Sequence, residues 1–102
     1  MTNQKLTFRK VYNTIEDQLK KHCGDSSYIK RQRGKCSYGW VGPVSMIAFD
    51  YKTGRVMEKE ESPSRHLIHP KIATDESQLV KIAEWFAITC FTIRPMRNLW
   101  EL

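Results

Sequence analysis

Two stretches with the 3.6-residue apolar repeat of a buried helix face lie toward opposite ends of this 102-residue chain, and the segment between them reads as strands and turns. Phe8, Val11, Tyr12, Ile15 and Leu19 follow i, i+3, i+4, i+7, i+11 spacing, which gathers them on one helical stripe. Thr7 is the expected N-cap and Gly24 the expected residue past the C-terminus. Glu16/Lys20 and Asp17/Lys21 are i, i+4 pairs in the favourable order, and Lys20, Lys21 and His22 suit the negative end of the helix dipole.

The second periodic stretch runs through Leu79, Ile82, Ala83, Phe86, Cys90 and Ile93, opened by Asp75 and Gln78 at capping-box spacing and ended by Arg94-Pro95. Val80, Trp85, Ala87, Ile88 and Phe91 spread apolar groups round most of the remaining circumference. Such a helix is expected to be largely buried, with Lys81 and Glu84 on its one wet side.

Between the helices, Ser27 to Gln32, Ser37 to Val41, Val44 to Tyr51 and Arg55 to Glu60 read as strands. The Lys52-Thr53-Gly54 turn joins the last two, with Gly54 supplying a positive φ. Gly39, Gly42 and Pro43 mark a bulge or tight bend. Residues 61–73 carry Pro63 and Pro70, which forbid a central strand, and are read as a long connection. The expected fold is therefore α+β, with two helices packed on one face of a three- to four-stranded antiparallel sheet in the order α-β-β-β-α. Residues 1–102 form one small domain, with 95–102 as a hydrophobic C-terminal tail. Phe8, Val11, Ile15, Leu19, Ile47, Phe49, Leu79, Ile82, Phe86 and Cys90 are the expected core.

Charge divides the chain unevenly. The first 36 residues hold nine Lys/Arg against Glu16, Asp17 and Asp25, which accounts for the whole net charge of +6, and the other 66 balance. An electropositive region beside a neutral body points to nucleic acid or an acidic protein surface as partner. The densest part is Tyr28-Ile29-Lys30-Arg31-Gln32-Arg33-Gly34-Lys35, followed by Tyr38 and Trp40. Cationic groups neutralise phosphates while tyrosine and tryptophan faces stack on unpaired bases, so this interleaving suits a nucleic-acid binder. The same charges equally suit an edge strand guarded against edge-to-edge pairing, with Tyr38 and Trp40 in the core. Arg9, Lys10, Lys20 and Lys21 extend the patch if the first helix lies beside that strand. Otherwise they form a solvated helix face.

The α-β-β-β-α order resembles the double-stranded-RNA-binding domain in outline. That family opens its second helix with a basic phosphate clamp, where this chain has Thr74-Asp75-Glu76-Ser77. The family's Gly-Pro-x-His loop is not matched either, because Gly42-Pro43 leads to Val44-Ser45. The chain is not assigned to the family.

No nucleophile elbow, P-loop, dinucleotide fingerprint or zinc-protease motif is present, so no catalytic residue is assigned and a non-enzymatic role is expected. His66 and His69 stand one helical turn apart, but Cys23, Cys36 and Cys90 are scattered, so neither a metal site nor a cofactor is expected. An odd number of cysteines without a paired motif suits a reducing compartment. With no apolar leader at Met1 to Lys10 and no spanning run, a cytoplasmic location is expected, or a nuclear one in a eukaryote, without membrane contact.

Leu99, Trp100 and Leu102 either dock back on the domain or offer an interface to a partner or a second copy. Two functions follow. One is a binding module whose basic face contacts nucleic acid or a nucleoprotein complex. The alternative is a small inhibitor or adaptor, similar in size and style to those of phages and mobile elements, that occludes a host protein.

Overall fold

The computed structural model describes residues 6–43, 45–60 and 71–101. Its elements run α1 (Phe8–Cys23), β1 (Lys30–Arg33), β2 (Ser37–Val41), β3 (Ser45–Asp50), β4 (Val56–Glu60), β5 (Lys71–Ala73) and α2 (Glu76–Glu101). All five strands are antiparallel and neighbour one another in chain order, so the sheet is a simple meander with β1 and β5 at its edges. The α+β class is as the sequence indicates. The strand count is five rather than three to four, because Lys71–Ala73, read from sequence as part of a connection, pairs with β4. It lies at the edge of the sheet, so the expectation that no central strand forms in residues 61–73 is not breached by it.

The α1 termini form as the sequence chemistry dictates. Thr7 Oγ1 accepts from the Lys10 N–H at 3.2 Å, and Gly24, at φ 68°, donates its N–H to Lys20 O at 3.1 Å. Asp75 caps α2 by accepting the Gln78 N–H at 2.9 Å, while Gln78 Oε1 reaches one residue further back, to the Thr74 N–H at 3.0 Å. In the β3–β4 hairpin Gly54 adopts φ 72°, and Asp50 Oδ1 accepts the N–H groups of Lys52 and Thr53.

Three expectations are corrected. Residues 27–29 are turn rather than strand, because Asp25 Oδ1 accepts the Ser27 N–H and the Ile29 N–H bonds to Ser26 O, leaving β1 to begin at Lys30. The α2 backbone continues through Pro95 to Glu101, so Leu99 and Trp100 belong to the helix and not to a separate tail. Proline's fixed φ is already helical; it forfeits one ladder bond, and the helix carries on beyond that defect. Finally, α2 is not largely buried: Val80, Trp85, Ile88 and Phe91 join Lys81 and Glu84 on the exposed side. A helix lying on a single sheet hides one stripe only, here Leu79, Ile82, Ala83, Phe86, Ala87 and Cys90. Pro63, His66, His69, Pro70 and Leu102 lie outside the described residues.

Both helices cover one face of the sheet. Strand alternation turns Trp40, Ile47, Phe49, Val56 and Ala73 toward them, and these pack with Val11, Ile15, Leu19, Leu79, Phe86 and Cys90. Of the expected core, all but Phe8 are buried; Phe8 packs against the core from its rim. Glu58 also turns inward, opposite Ile47. The other face of the sheet carries Met46, Ala48, Met57 and Ile72. No helix among the described residues is long and apolar enough to cross a membrane.

Candidate nucleic-acid interface

Helix α1 lies alongside β1 and β2, so the basic segments of the first third do meet. The junction is built on Glu16, which projects from the flank of α1 next to its apolar stripe. Arg31 donates to it from Nε at 2.9 Å and from Nη2 at 2.8 Å, and Trp40 donates from Nε1 at 2.9 Å. The remaining guanidinium donors go to Ser26 O, Ile29 O and Ser26 Oγ at 3.0, 2.8 and 3.1 Å. Burial pushes the Glu16 carboxyl upward, but the Arg31 and Trp40 hydrogen bonds and the guanidinium charge outweigh it and hold the group below its ordinary value. The hydrogen bonds to Glu16 raise Arg31 in turn.

Two residues nominated from sequence are therefore corrected. Arg31 is saturated by Glu16 and the 26–29 turn, leaving no donor to aim at a phosphate. Trp40 has no exposed surface, so its ring is core and offers no face to a base. Both hold α1 to the sheet edge.

One turn toward the N-terminus, a different set comes together. Tyr12 and Phe8 pack on Tyr38, with centroids 6.0 and 5.1 Å away, and Tyr38 stands 4.9 Å from Trp40. Arg33, on the same side of β1 as Arg31, lays its guanidinium 5.9 Å from the Tyr38 centroid. Phe8, Arg9, Tyr12 and Asn13 line an open groove of about 290 Å³ beside this cluster. The first turn of α1 holds no carboxylate. Burial raises the Tyr38 phenol above its ordinary value, with Tyr12 and Glu16 adding to the effect, so it stays a neutral donor near neutrality.

The other nominated residues stand outside this cluster. Lys10 pairs with Glu76 at 3.5 Å across the α1–α2 surface. Lys30 alternates onto the opposite face of the sheet, and Lys35 is exposed in the β1–β2 turn. Lys20 shares the Arg9 flank of α1, about 16 Å further along the axis. Tyr28 is half-buried, donating its hydroxyl to Cys90 O at 3.2 Å. Of the ten, Arg33 and Tyr38 meet, and Arg9 lines the groove that also takes in Tyr12. The sequence reading missed Tyr12 and Asn13: Tyr12 fits the apolar stripe, yet its position at the stripe's border leaves it 36 % exposed. Among the described residues no group of three potential metal ligands occurs.

No family model, curated protein or solved structure matches the chain.

Proposed function

We propose that this domain is a binding module for single-stranded nucleic acid, held along the α1 groove at Phe8, Arg9, Tyr12 and Asn13 and the Arg33–Tyr38 pair beside it. The observation that carries the reading is Arg33 over Tyr38, beside Tyr12 and the Arg9–Asn13 groove. Guanidinium groups neutralise phosphates, partly exposed tyrosine rings stack on unpaired bases, and the amide of Asn13 supplies a donor and an acceptor for a base edge. The carboxylate-free start of α1 adds the positive end of the helix dipole. Lys20 and Lys35 extend the contact along the backbone. Three reduced thiols fit a cytoplasmic or nuclear setting.

The test is fluorescence anisotropy with labelled single- and double-stranded RNA and DNA. Single strands should bind more tightly than duplexes, with log affinity falling against log salt by about 0.7 per phosphate neutralised. Arg33→Glu and Arg9→Glu should each weaken binding at least about tenfold, and Lys10→Glu much less. Absence of binding by every probe at low salt would sink the reading.

A second reading, an inhibitor or adaptor acting by protein contact, is favoured by Val80 and Phe91, exposed on α2 at 45 % and 49 %. A partner captured after nuclease treatment and lost with Phe91→Glu would support it. Loss of every partner on nuclease treatment would count against it.

A further inference from the structure

The sheet face turned away from the helices has a layout of its own. Pairing register places Lys30, Val41, Met46 and Lys59 in one rank across four strands. The next rank runs Gln32, Gly39, Ala48, Met57 and Ile72. Met46, Met57 and Ile72 are 37 %, 44 % and 47 % exposed, an apolar strip on a surface where lysine and glutamate are the usual occupants. Gly39 and Ala48 give the strip a low centre, and the hollow beside them, lined by Met46, Ala48, Met57 and Lys59 among others, holds about 250 Å³.

Charge and spacing narrow what fits. Strands lie about 4.8 Å apart, so the two lysines that bracket the apolar pair stand about 14 Å from each other. That gap admits one α-helix, about 10 to 12 Å across with its side chains. Arg55 adds a third cation at the rim, while Asp50, the carboxylate among the described lining residues, is turned to the N–H groups of its own hairpin. A second copy placed face to face would bring lysines onto lysines in a chain already at +6. A bilayer meets a protruding apolar surface better than a hollow. Methionine side chains adapt to varied apolar groups, which suits a helix stripe.

We propose that this face seats an acidic amphipathic helix of a partner protein, running along the strands, with its apolar stripe in the hollow over Ala48 and its flanking carboxylates on Lys30 and Lys59. The surface is separate from the α1 groove and the Arg33–Tyr38 pair, so nucleic acid and the partner helix bind at the same time.

The test uses two synthetic helical peptides of about 18 residues with one leucine stripe, flanked by glutamate in one and lysine in the other. Each is titrated into the full chain carrying ¹³C-methyl methionine. The acidic peptide should shift the Met46 and Met57 methyl signals and bind at least about tenfold tighter than the basic one. Lys30→Glu with Lys59→Glu should invert that preference, and Ala48→Trp, a solvent-facing change, should abolish binding by filling the hollow. Arg33→Glu should leave peptide binding unchanged. The proposal is overturned by equal affinity for both peptides, by no methyl shift with either, or by shifts confined to Met1 and Met96. A concentration-dependent dimer that Ala48→Trp abolishes would give the face to a second copy and overturn it too.

Discussion

Glu16 and Arg31 meet across the seam between α1 and β1 in a two-pronged ion pair, at 2.8 and 2.9 Å, that also takes in the Trp40 indole N–H. Both side chains are about three-quarters buried. Removing one partner therefore strands donors or charge away from water, which costs more than the intact pair contributes. Glu16→Gln is expected to lower unfolding free energy by about 2 to 3 kcal/mol, because one amide oxygen cannot replace two carboxylate oxygens serving three donors. Urea titration measures it, and a loss below about 0.5 kcal/mol would refute this account.

The pH dependence of the same pair has a definite sign. The folded Glu16 carboxyl titrates below its ordinary value of 4.5, so the folded state binds fewer protons there. Its stabilisation is fully present above 4.5 and is lost as pH falls through the lower folded value. Melts from neutrality down to about pH 3 should show an acid decline in the natural chain that is shallower in Glu16→Gln.

Arg31 and Arg33 are two residues apart, on the same side of β1, yet should answer substitution differently. Arg33→Glu removes an exposed cation–π contact, so its melting curve should move by the equivalent of about 0.5 kcal/mol or less, while nucleic-acid affinity falls and the salt slope drops by about 0.7. Arg31→Glu should instead unfold much of the population, since it sets two carboxylates against one another under Trp40. Circular dichroism beside anisotropy separates the two. If both variants kept full stability and lost binding equally, Arg31 would belong to the interface after all.

The contrast shows what can be read from the chain directly. Local chemistry was legible: the Thr7 cap, the positive φ of Gly24 and Gly54, the Val11–Ile15–Leu19 stripe and the Ser37–Val41 strand each depend on neighbours in sequence. The assignment of charges was not, because Arg31 and Arg33 are indistinguishable until Glu16 is placed fifteen residues away in sequence and 2.8 Å away in space. Tyr12 likewise looks like core until its place at the border of the stripe is seen, and Tyr38, which suits binding or core equally in sequence, proves half-buried beside it. Lys71–Ala73 is too short to carry an alternation signal of its own, and α2 looked buried because an apolar circumference does not reveal that only one layer covers it.

Gly42 sets a packing limit at the β2–β3 bend. A Cβ added there would lie 2.5 Å from Cys90 Sγ and 3.5 Å from the Phe86 ring, and its N–H is committed to Ser45 O. Gly42→Ala should cost about 1 to 3 kcal/mol by overpacking. Cys90→Ala alone should cost about 1 kcal/mol for the sulfur it removes, and the double variant should lose at least about 1 kcal/mol less than the sum. Additive losses in denaturant titrations would show that the clash is not with Cys90.

The three thiols should separate cleanly in reactivity. Burial pushes the Cys90 thiol up to about 12, with Cys23 and Glu58 adding to the effect. At pH 8 that leaves about one thiolate in ten thousand, and the sulfur has no path to solvent. Cys23 is buried too, with its thiol directed at Ala87 O 3.5 Å away, whereas Cys36 is exposed in the β1–β2 turn. Titration of the native protein with a chromogenic disulfide should therefore release one fast equivalent, from Cys36, and two slow ones. The slow phase should accelerate with urea, because it requires opening of the α1–α2 seam, and all three thiols should react together once the chain is unfolded. Two fast equivalents in the native protein would mean that the end of α1 at Cys23, or the middle of α2 around Cys90, opens far more readily than its packing implies.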